Sequence, residues 1–485
     1  MSGTACGERH GKLRQRFPSD RSTIRRCSVR AILSFAFAVT CLGADWPEFM
    51  GPARDQTSPE TGLRDTLPAP VVASKRIGTG YSAPSIRGGV LVLHHRIDRE
   101  EIVEAIETKT GATKWKYAYV SHFTDPFGFN NGPRCSPLLV TLPGDAPRDV
   151  CITFGAEGVL LCLEFSSGKL IWRRDTQPDF NVPEAFFGVG SSPILEGNLV
   201  IVQVGGQLNS GVVAFDASTG RTVWENVGAK TWNGLHKLHW PGEPTILWEP
   251  GSPDYEKQAS YCTPVVATMH GKRVLFVVTR QGLVALDPKT GEHHFSRWFR
   301  VRQDSSVNAM TPVVKDDLVF ISTAYYRGGS ELLRVRPDLS GVDEVWRGTQ
   351  LEMHWTRPVL HAGYLYAFSG RNEPDGRFRC VEFATGRVAW DRDEGWPNGG
   401  HGHVSPGSEP NVFGRGSAIL ADGKLIALGE AGLLGLFKPN TEKLEELGRW
   451  QVPGLTYPCW AAPVLSEKRL YLRSEDRLVC LDFAR

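Results

Sequence analysis

One phrase recurs along this chain: an acidic residue, then Thr-Gly, then a tryptophan four residues after the glycine. It is spelled by Glu107, Thr110, Gly111 and Trp115, and again by Asp216, Thr219, Gly220 and Trp224. A repeat of about fifty residues makes the repeat, not the single residue, the unit that folds. Each copy opens on a small-residue–Pro step, at Pro84, Pro137, Pro193, Pro264, Pro312, Pro358 and Pro463, with a degenerate copy at Ala418. Short apolar runs then alternate with Gly or Asn/Asp turns: Ile194-Leu195, turn, Leu199 to Val202, then Val212 to Phe215, then a fourth run ending on Trp224. Four such runs make one antiparallel sheet.

Four strands per unit with an aromatic at the end read as the blade of a β-propeller, whose radial packing leaves few exposed sheet edges. The fold class is therefore all-β. Seven aromatic-ended units, closing on Trp115, Trp172, Trp224, Phe295, Trp346, Trp390 and Trp450, precede an eighth, Cys459 to Phe483, that lacks its last strand. Pro70 to Ile77 is the candidate for that strand, which gives eight blades, with seven as the rival count. A small residue stands two before the acid in six copies (Ala105, Cys162, Ala214, Ala285, Cys380, Cys480), and the reading is that it leaves room for a ring docked between blades.

The expected organisation is a signal peptide over 1–44, a lead segment over 45–69 and a propeller over 70–485 carrying an insertion at 229–258. Arg25, Arg26 and Arg30 precede the apolar stretch Ala31 to Leu42, and Leu42-Gly43-Ala44 offers a cleavage site; the stretch is short for a membrane span. Export to the periplasm or the exterior follows. With 55 basic against 53 acidic side chains, nothing in the charge draws the chain to nucleic acid. Cys162, Cys380 and Cys480 fall in the small-residue position, so small buried core residues are the expected role of the cysteines, rather than disulfides or metal ligands.

The Ala214-Phe215-Asp216-Ala217-Ser218-Thr219-Gly220 phrase ending at Trp224 resembles the quinoprotein-type, PQQ-binding-like propeller repeat, and the likeness runs from about Pro70 to Phe483. The opening Asp45-Trp46-Pro47-Glu48-Phe49-Met50-Gly51-Pro52 also looks like that of exported bacterial propellers of this kind. The resemblance implies one of several roles, because quinone-dependent dehydrogenases, a non-catalytic lipoprotein that helps assemble outer-membrane proteins, and other exported proteins share the repeat. The dehydrogenases carry a vicinal cysteine pair, calcium ligands and a catalytic aspartate. This sequence has no adjacent cysteines and no clear counterpart of the ligand set.

Residues three before each proline step should ring one mouth of the channel: Tyr81, Arg134, Gly190, Tyr261, Ala309, Trp355, Arg415 and Trp460. Arg415, Trp460, Tyr81 and Arg134 would form one arc, with aromatic faces for stacking and guanidinium groups for a carboxylate or phosphate; Asn308 and His354 would add polar contacts. Such an arc suits a planar anionic molecule, and in a quinone-dependent oxidoreductase it would hold the cofactor. The competing reading is that these side chains pack against neighbouring loops. His401 with His403, and His236 with His239 inside the insertion, lack Cys or Asp beside them, so no metal site is expected; the insertion reads as a lid or partner surface. There is no G-x-S-x-G, H-E-x-x-H or P-loop. The preferred expectation is an exported binding or scaffold module without redox catalysis and without a catalytic residue, interacting with a planar anionic molecule or an envelope protein; the alternatives are a PQQ-dependent oxidoreductase and a carbohydrate or peptide binder.

Overall fold

The structure is a computed structural model that describes residues 44–485 except 145, 184–185, 229–230, 232–234, 238–244, 248–259, 302–305 and 398–410. The expected signal peptide up to residue 43, His401 with His403, His239 and most of the insertion lie outside the described residues; of the insertion a two-stranded ribbon, Leu235–Lys237 with Thr245–Leu247, is described, and it carries His236. Residues 42–485 form one compact unit.

That unit is a ring of eight antiparallel sheets. Blade one is Ser85–Arg87, Val90–Ile97, Glu100–Glu107 and Thr113–Val120, and blades two to seven repeat its order. In blade eight, Val464–Ser466, Arg469–Arg473 and Arg477–Asp482 are completed on the outside by Val71–Arg76, which pairs antiparallel with Arg477–Asp482. Seven blades, the rival count, is therefore set aside. Each hydrophobic cluster spans neighbouring sheets, as where Trp172, Phe154 and Leu160 of blade two meet Val200, Val202 and Phe215 of blade three.

The repeated phrase earns its spacing at the turn between the outer strands. Asp216 Oδ1 accepts from the Ser218 and Thr219 amides and from the Thr219 hydroxyl, and Gly220 N donates to Asp216 O at 2.8 Å with φ +70°. Left-handed backbone there favours glycine. The glycine also receives the ring of the preceding blade: a Cβ on Gly168, Gly220, Gly291 or Gly386 would sit 2.5–2.8 Å from Trp115, Trp172, Trp224 or Trp346. Each of those indoles donates its Nε1–H to a carbonyl of the next blade, as Trp224 does to Pro288 O at 3.1 Å. The rings dock between blades as read from the sequence, but the room is made elsewhere. Ala105, Cys162 and Ala214 lie across the ladder from the tryptophan of their own blade, and the clearance comes from the next blade's glycine; Cys380 faces Trp390, whose Nε1 donates to Asn440 O in a turn without that glycine.

The lead segment crosses the turn side of the channel. Trp46 exchanges backbone hydrogen bonds with Ile86 of blade one, Pro47 O accepts from Leu139 N of blade two, and Arg54 reaches Leu195 O of blade three. Thr57–Ser58 then pairs parallel with Ser417–Ala421, making blade seven five-stranded. Trp46 and Met50 are buried there. The proline steps leave the other mouth for the loops that enter each inner strand.

Candidate functional site at the channel mouth

The loop position three before the proline step brings its residues together. The Tyr81 and Trp460 ring centroids are 4.8 Å apart and those of Trp355 and Trp460 are 5.2 Å apart; the Arg415 guanidinium lies 4.8 Å from the Trp355 ring and that of Arg134 lies 5.7 Å from the Tyr81 ring. Across the mouth, Tyr261 accepts a hydrogen bond from Phe187 N at 2.8 Å through its hydroxyl. Its ring covers Gly190, where a Cβ would stand 2.6 Å away, so the one glycine in this series is there to admit a tyrosine from the next blade.

The two arginines are where the sequence places them, but their charges are spent. Arg415 is 7% exposed and makes a two-point contact with Glu430 (Nε to Oε1 2.9 Å, Nη2 to Oε2 2.7 Å), while Nη2 also meets Glu373 at 2.6 Å. Trp460 Nε1 donates to Glu430 and the Tyr457 hydroxyl to Glu373, so both carboxylates are enclosed by donors. Arg134 Nη2 donates to Asp125 at 2.6 Å and also to Asn130 O. A carboxylate ligand would have to displace a buried internal one, so neither guanidinium is available as the anion-holding group expected of it.

Two further expectations change. Asn308 is buried beneath the mouth, and its amide donates to Thr279 O and Phe299 O, tying loops of blade four together. His354 bridges Arg415 Nη1 (3.0 Å, at Nδ1) and the Tyr325 hydroxyl (3.1 Å, at Nε2). Burial first, and then the Arg415 and Arg371 charges, hold its imidazole well below the ordinary histidine pKa. Because Nδ1 accepts from Arg415, the proton of the neutral ring sits on Nε2.

What the sequence reading passed over is the loop 121–133. Arg96 donates to Ser121 O, Phe123 O and Asn131 O, and Asp125 accepts from Phe127 N and Arg134, so the loop is fixed from beneath by buried polar groups. Its tip, Phe127-Gly128-Phe129, nevertheless leaves the two rings 50% and 52% exposed. Phe187 lies 5.1 Å from Phe127, and Phe129 lies 6.0 Å from Trp460, so these rings extend the aromatic mouth outward. The two phenylalanines flanking a glycine were the available signal.

Beneath Trp355 and Trp460, above the lead segment, is a cavity of about 50 Å³. Sites that enclose a drug-sized ligand run to roughly 300 Å³ or more. A planar carboxylate-bearing quinone at the mouth would meet arginines already paired with internal carboxylates, and the cavity beneath is too small to enclose it. Among the described residues, no group of three His, Cys, Asp or Glu side chains stands together as metal ligands. Burial pushes the Cys162 and Cys262 thiols up to about 12, and the cysteines from Cys135 to Cys480 are all buried and unpaired.

A second cleft, of about 460 Å³, opens between the loops of blades five and six. Arg371 lies 4.2 Å above the Tyr326 ring, and no carboxylate among the described residues is within ion-pair distance of it. Tyr326 and Arg327 hold left-handed backbone, φ 50° and 60°, next to Glu352. Non-glycine residues held this way carry strain that the surroundings must maintain.

The chain matches, over residues 99–392, the family described as outer membrane protein assembly factor BamB. It belongs to this PQQ-like β-propeller repeat family. Among solved structures, the family member resembles BamB from Moraxella catarrhalis (15% identity, TM-score 0.51, covering 86% of this chain and 98% of that one). It also resembles quinohemoprotein alcohol dehydrogenase from Comamonas testosteroni (14%, 0.60, 90% and 80%) and a europium-containing methanol dehydrogenase (14%, 0.61, 88% and 89%). At these identities the likeness is one of fold. No curated protein matches the chain. No helix among the described residues is long and apolar enough to cross a membrane.

Proposed function

We propose that this chain is an exported docking module whose channel mouth receives an apolar segment of a partner protein of the cell envelope, with no redox reaction of its own. The observation that carries this reading is the 121–133 loop, where a buried polar network holds two half-exposed phenylalanines on the rim. Rings presented on a fixed loop lose little conformational freedom on binding, and aromatic anchors of this kind dominate many interfaces. The spent charges of Arg134 and Arg415 leave the rim apolar and hydrogen-bonded within itself. The family's description as an assembly factor supports the same direction.

The test is a photo-crosslinking residue placed at Phe129 in the full-length protein in cells, with Val223, exposed on an outer strand, as control. A discrete crosslinked partner at Phe129 and not at Val223 is expected. With the partner identified, Phe127→Ser combined with Phe129→Ser should weaken its binding about 30-fold or more, the cost of losing a hot spot of about 2 kcal/mol, while leaving the melting profile nearly unchanged. Saturable quinone uptake with alcohol- or sugar-dependent dye reduction would sink the proposal.

The blade-five to blade-six cleft favours a second reading, a binder of a small carboxylated or phosphorylated molecule. Arg371 supplies uncommitted donors, Tyr326 a flat face and Glu352 an acceptor. Calorimetry with glucuronate and with inorganic phosphate should then give saturable heats, and Arg371→Gln should weaken binding about tenfold. Flat titrations with both would remove this reading.

A further inference from the structure

Four residues around the 50 Å³ cavity each carry a buried polar atom that no described residue satisfies: Trp355 Nε1, Arg357 Nη1, Ser417 Oγ and Gln56 Oε1. Native interiors pair nearly all such atoms, so four orphans around one small space point to an occupant. Trp355 Nε1 and Arg357 Nη1 can only donate, and the Ser417 hydroxyl can turn to donate. Gln56 Nε2 is committed to Ala418 O at 2.7 Å, which leaves Oε1 as the one obligate acceptor. The lining is rich in donors.

Charge separates the two candidate occupants, water and an anion. Arg357 is only 9% exposed; its Nε donates to Pro312 O at 3.3 Å, and no carboxylate among the described residues lies within 4.0 Å. The nearest carboxylate acting on it is that of Asp55, which is held by Thr57 N and Oγ1 at 2.9 and 2.6 Å. Burial lowers the guanidinium pKa to about 10, with Asp55 offsetting part of that. A buried cation without a close counter-ion is expensive, and a water molecule does not neutralise it. The other mouth arginines, Arg134 and Arg415, each have a carboxylate in contact.

We propose that the cavity binds a small monovalent inorganic anion of halide size, held by Trp355 Nε1, Arg357 Nη1 and the Ser417 hydroxyl. Space of about 50 Å³ admits such an ion with one water, which would donate one hydrogen to the ion and the other to Gln56 Oε1. The ion then joins the lead segment (Gln56) to the loop entering blade six (Trp355, Arg357) and the inner strand of blade seven (Ser417), sealing the axis from within. The proposal does not rest on Phe127 or Phe129, although Trp355 belongs to both the cavity and the mouth.

Crystals of the full-length protein grown with bromide as the only halide test this directly. One anomalous peak within hydrogen-bonding distance of Trp355 Nε1 and Arg357 Nη1 is expected. In solution, protein dialysed free of halide should show a melting midpoint that rises saturably with bromide at constant ionic strength kept with methanesulfonate. Arg357→Gln should lose both the peak and the saturable rise. Electron density refining as water with no bromide signal in the unaltered protein overturns the proposal, whether or not the Arg357 variant folds. A midpoint that ignores bromide would overturn it equally.

Discussion

Replacing Arg415 with methionine is expected to destabilise the propeller by about 3–5 kcal/mol, the range for removing one partner of a buried ion cluster. Glu430 and Glu373 are almost wholly enclosed, and Arg415 is their shared cation at 2.6–2.7 Å. Without it, two carboxyl groups remain buried with only the donors of Trp460 and Tyr457 beside them. Carrying Glu373→Gln and Glu430→Gln on the same chain should recover most of the loss, because the uncompensated charges go with the arginine. Urea denaturation followed by tryptophan fluorescence reads both. A methionine variant as stable as the parent would show that the cluster does not hold the mouth together. Loss of ligand binding in an Arg415 variant therefore reports first on folding, and a docking experiment has to be made at Phe127 and Phe129 instead.

Gly291→Ala should cost about 3 kcal/mol although it adds one methyl group. The residue sits at φ +73°, and its Cβ would meet Trp224 Cε3 at 2.5 Å. Left-handed strain and overpacking contribute about 1–3 kcal/mol each. Trp224→Ala should cost about 3–5 kcal/mol, as for other buried large-to-small changes. On that background the glycine change should fall to about 1 kcal/mol, because only backbone strain is left, and the non-additivity measures the contact. Gly271 is the control: its φ is +77°, but nothing lies within 4 Å of its Cβ position. Gly271→Ala should therefore cost about 1 kcal/mol on any background. Equal penalties at Gly271 and Gly291 would remove the docking account of the repeat.

The fold was legible because each blade repeats the same local demands. An acid that accepts turn amides, a glycine with left-handed backbone and an indole that needs a carbonyl recur at fixed spacing, so register could be read by counting. The same counting brought Tyr81, Trp460, Trp355 and Arg415 to one rim. It could not give the state of their charges. Glu373 and Glu430, which neutralise Arg415, lie in the connections between the second and third strands of blades six and seven, and Asp125 in the connection into blade two, where sequence differs from blade to blade. Glu373 lies 42 positions from Arg415. Asn308 stands one residue before the rim position, which is Ala309 in its blade, and its amide turns inward onto Thr279 O and Phe299 O. Repetition specifies where a side chain starts; unique loops decide what it meets.

The outer strand of blade eight has a consequence for synthesis. Among the described residues Val71–Arg76 has its strand partner only in Arg477–Asp482, and Arg64 bonds the carbonyl of Asp482, 418 positions further on. A growing polypeptide can complete blade after blade from its early part, but its ring stays open until those late residues have emerged. Until then Val71–Arg76 has no sheet to join, and the inner faces of blades one and eight stay wet. The same strand holds the finished ring shut against opening at its seam.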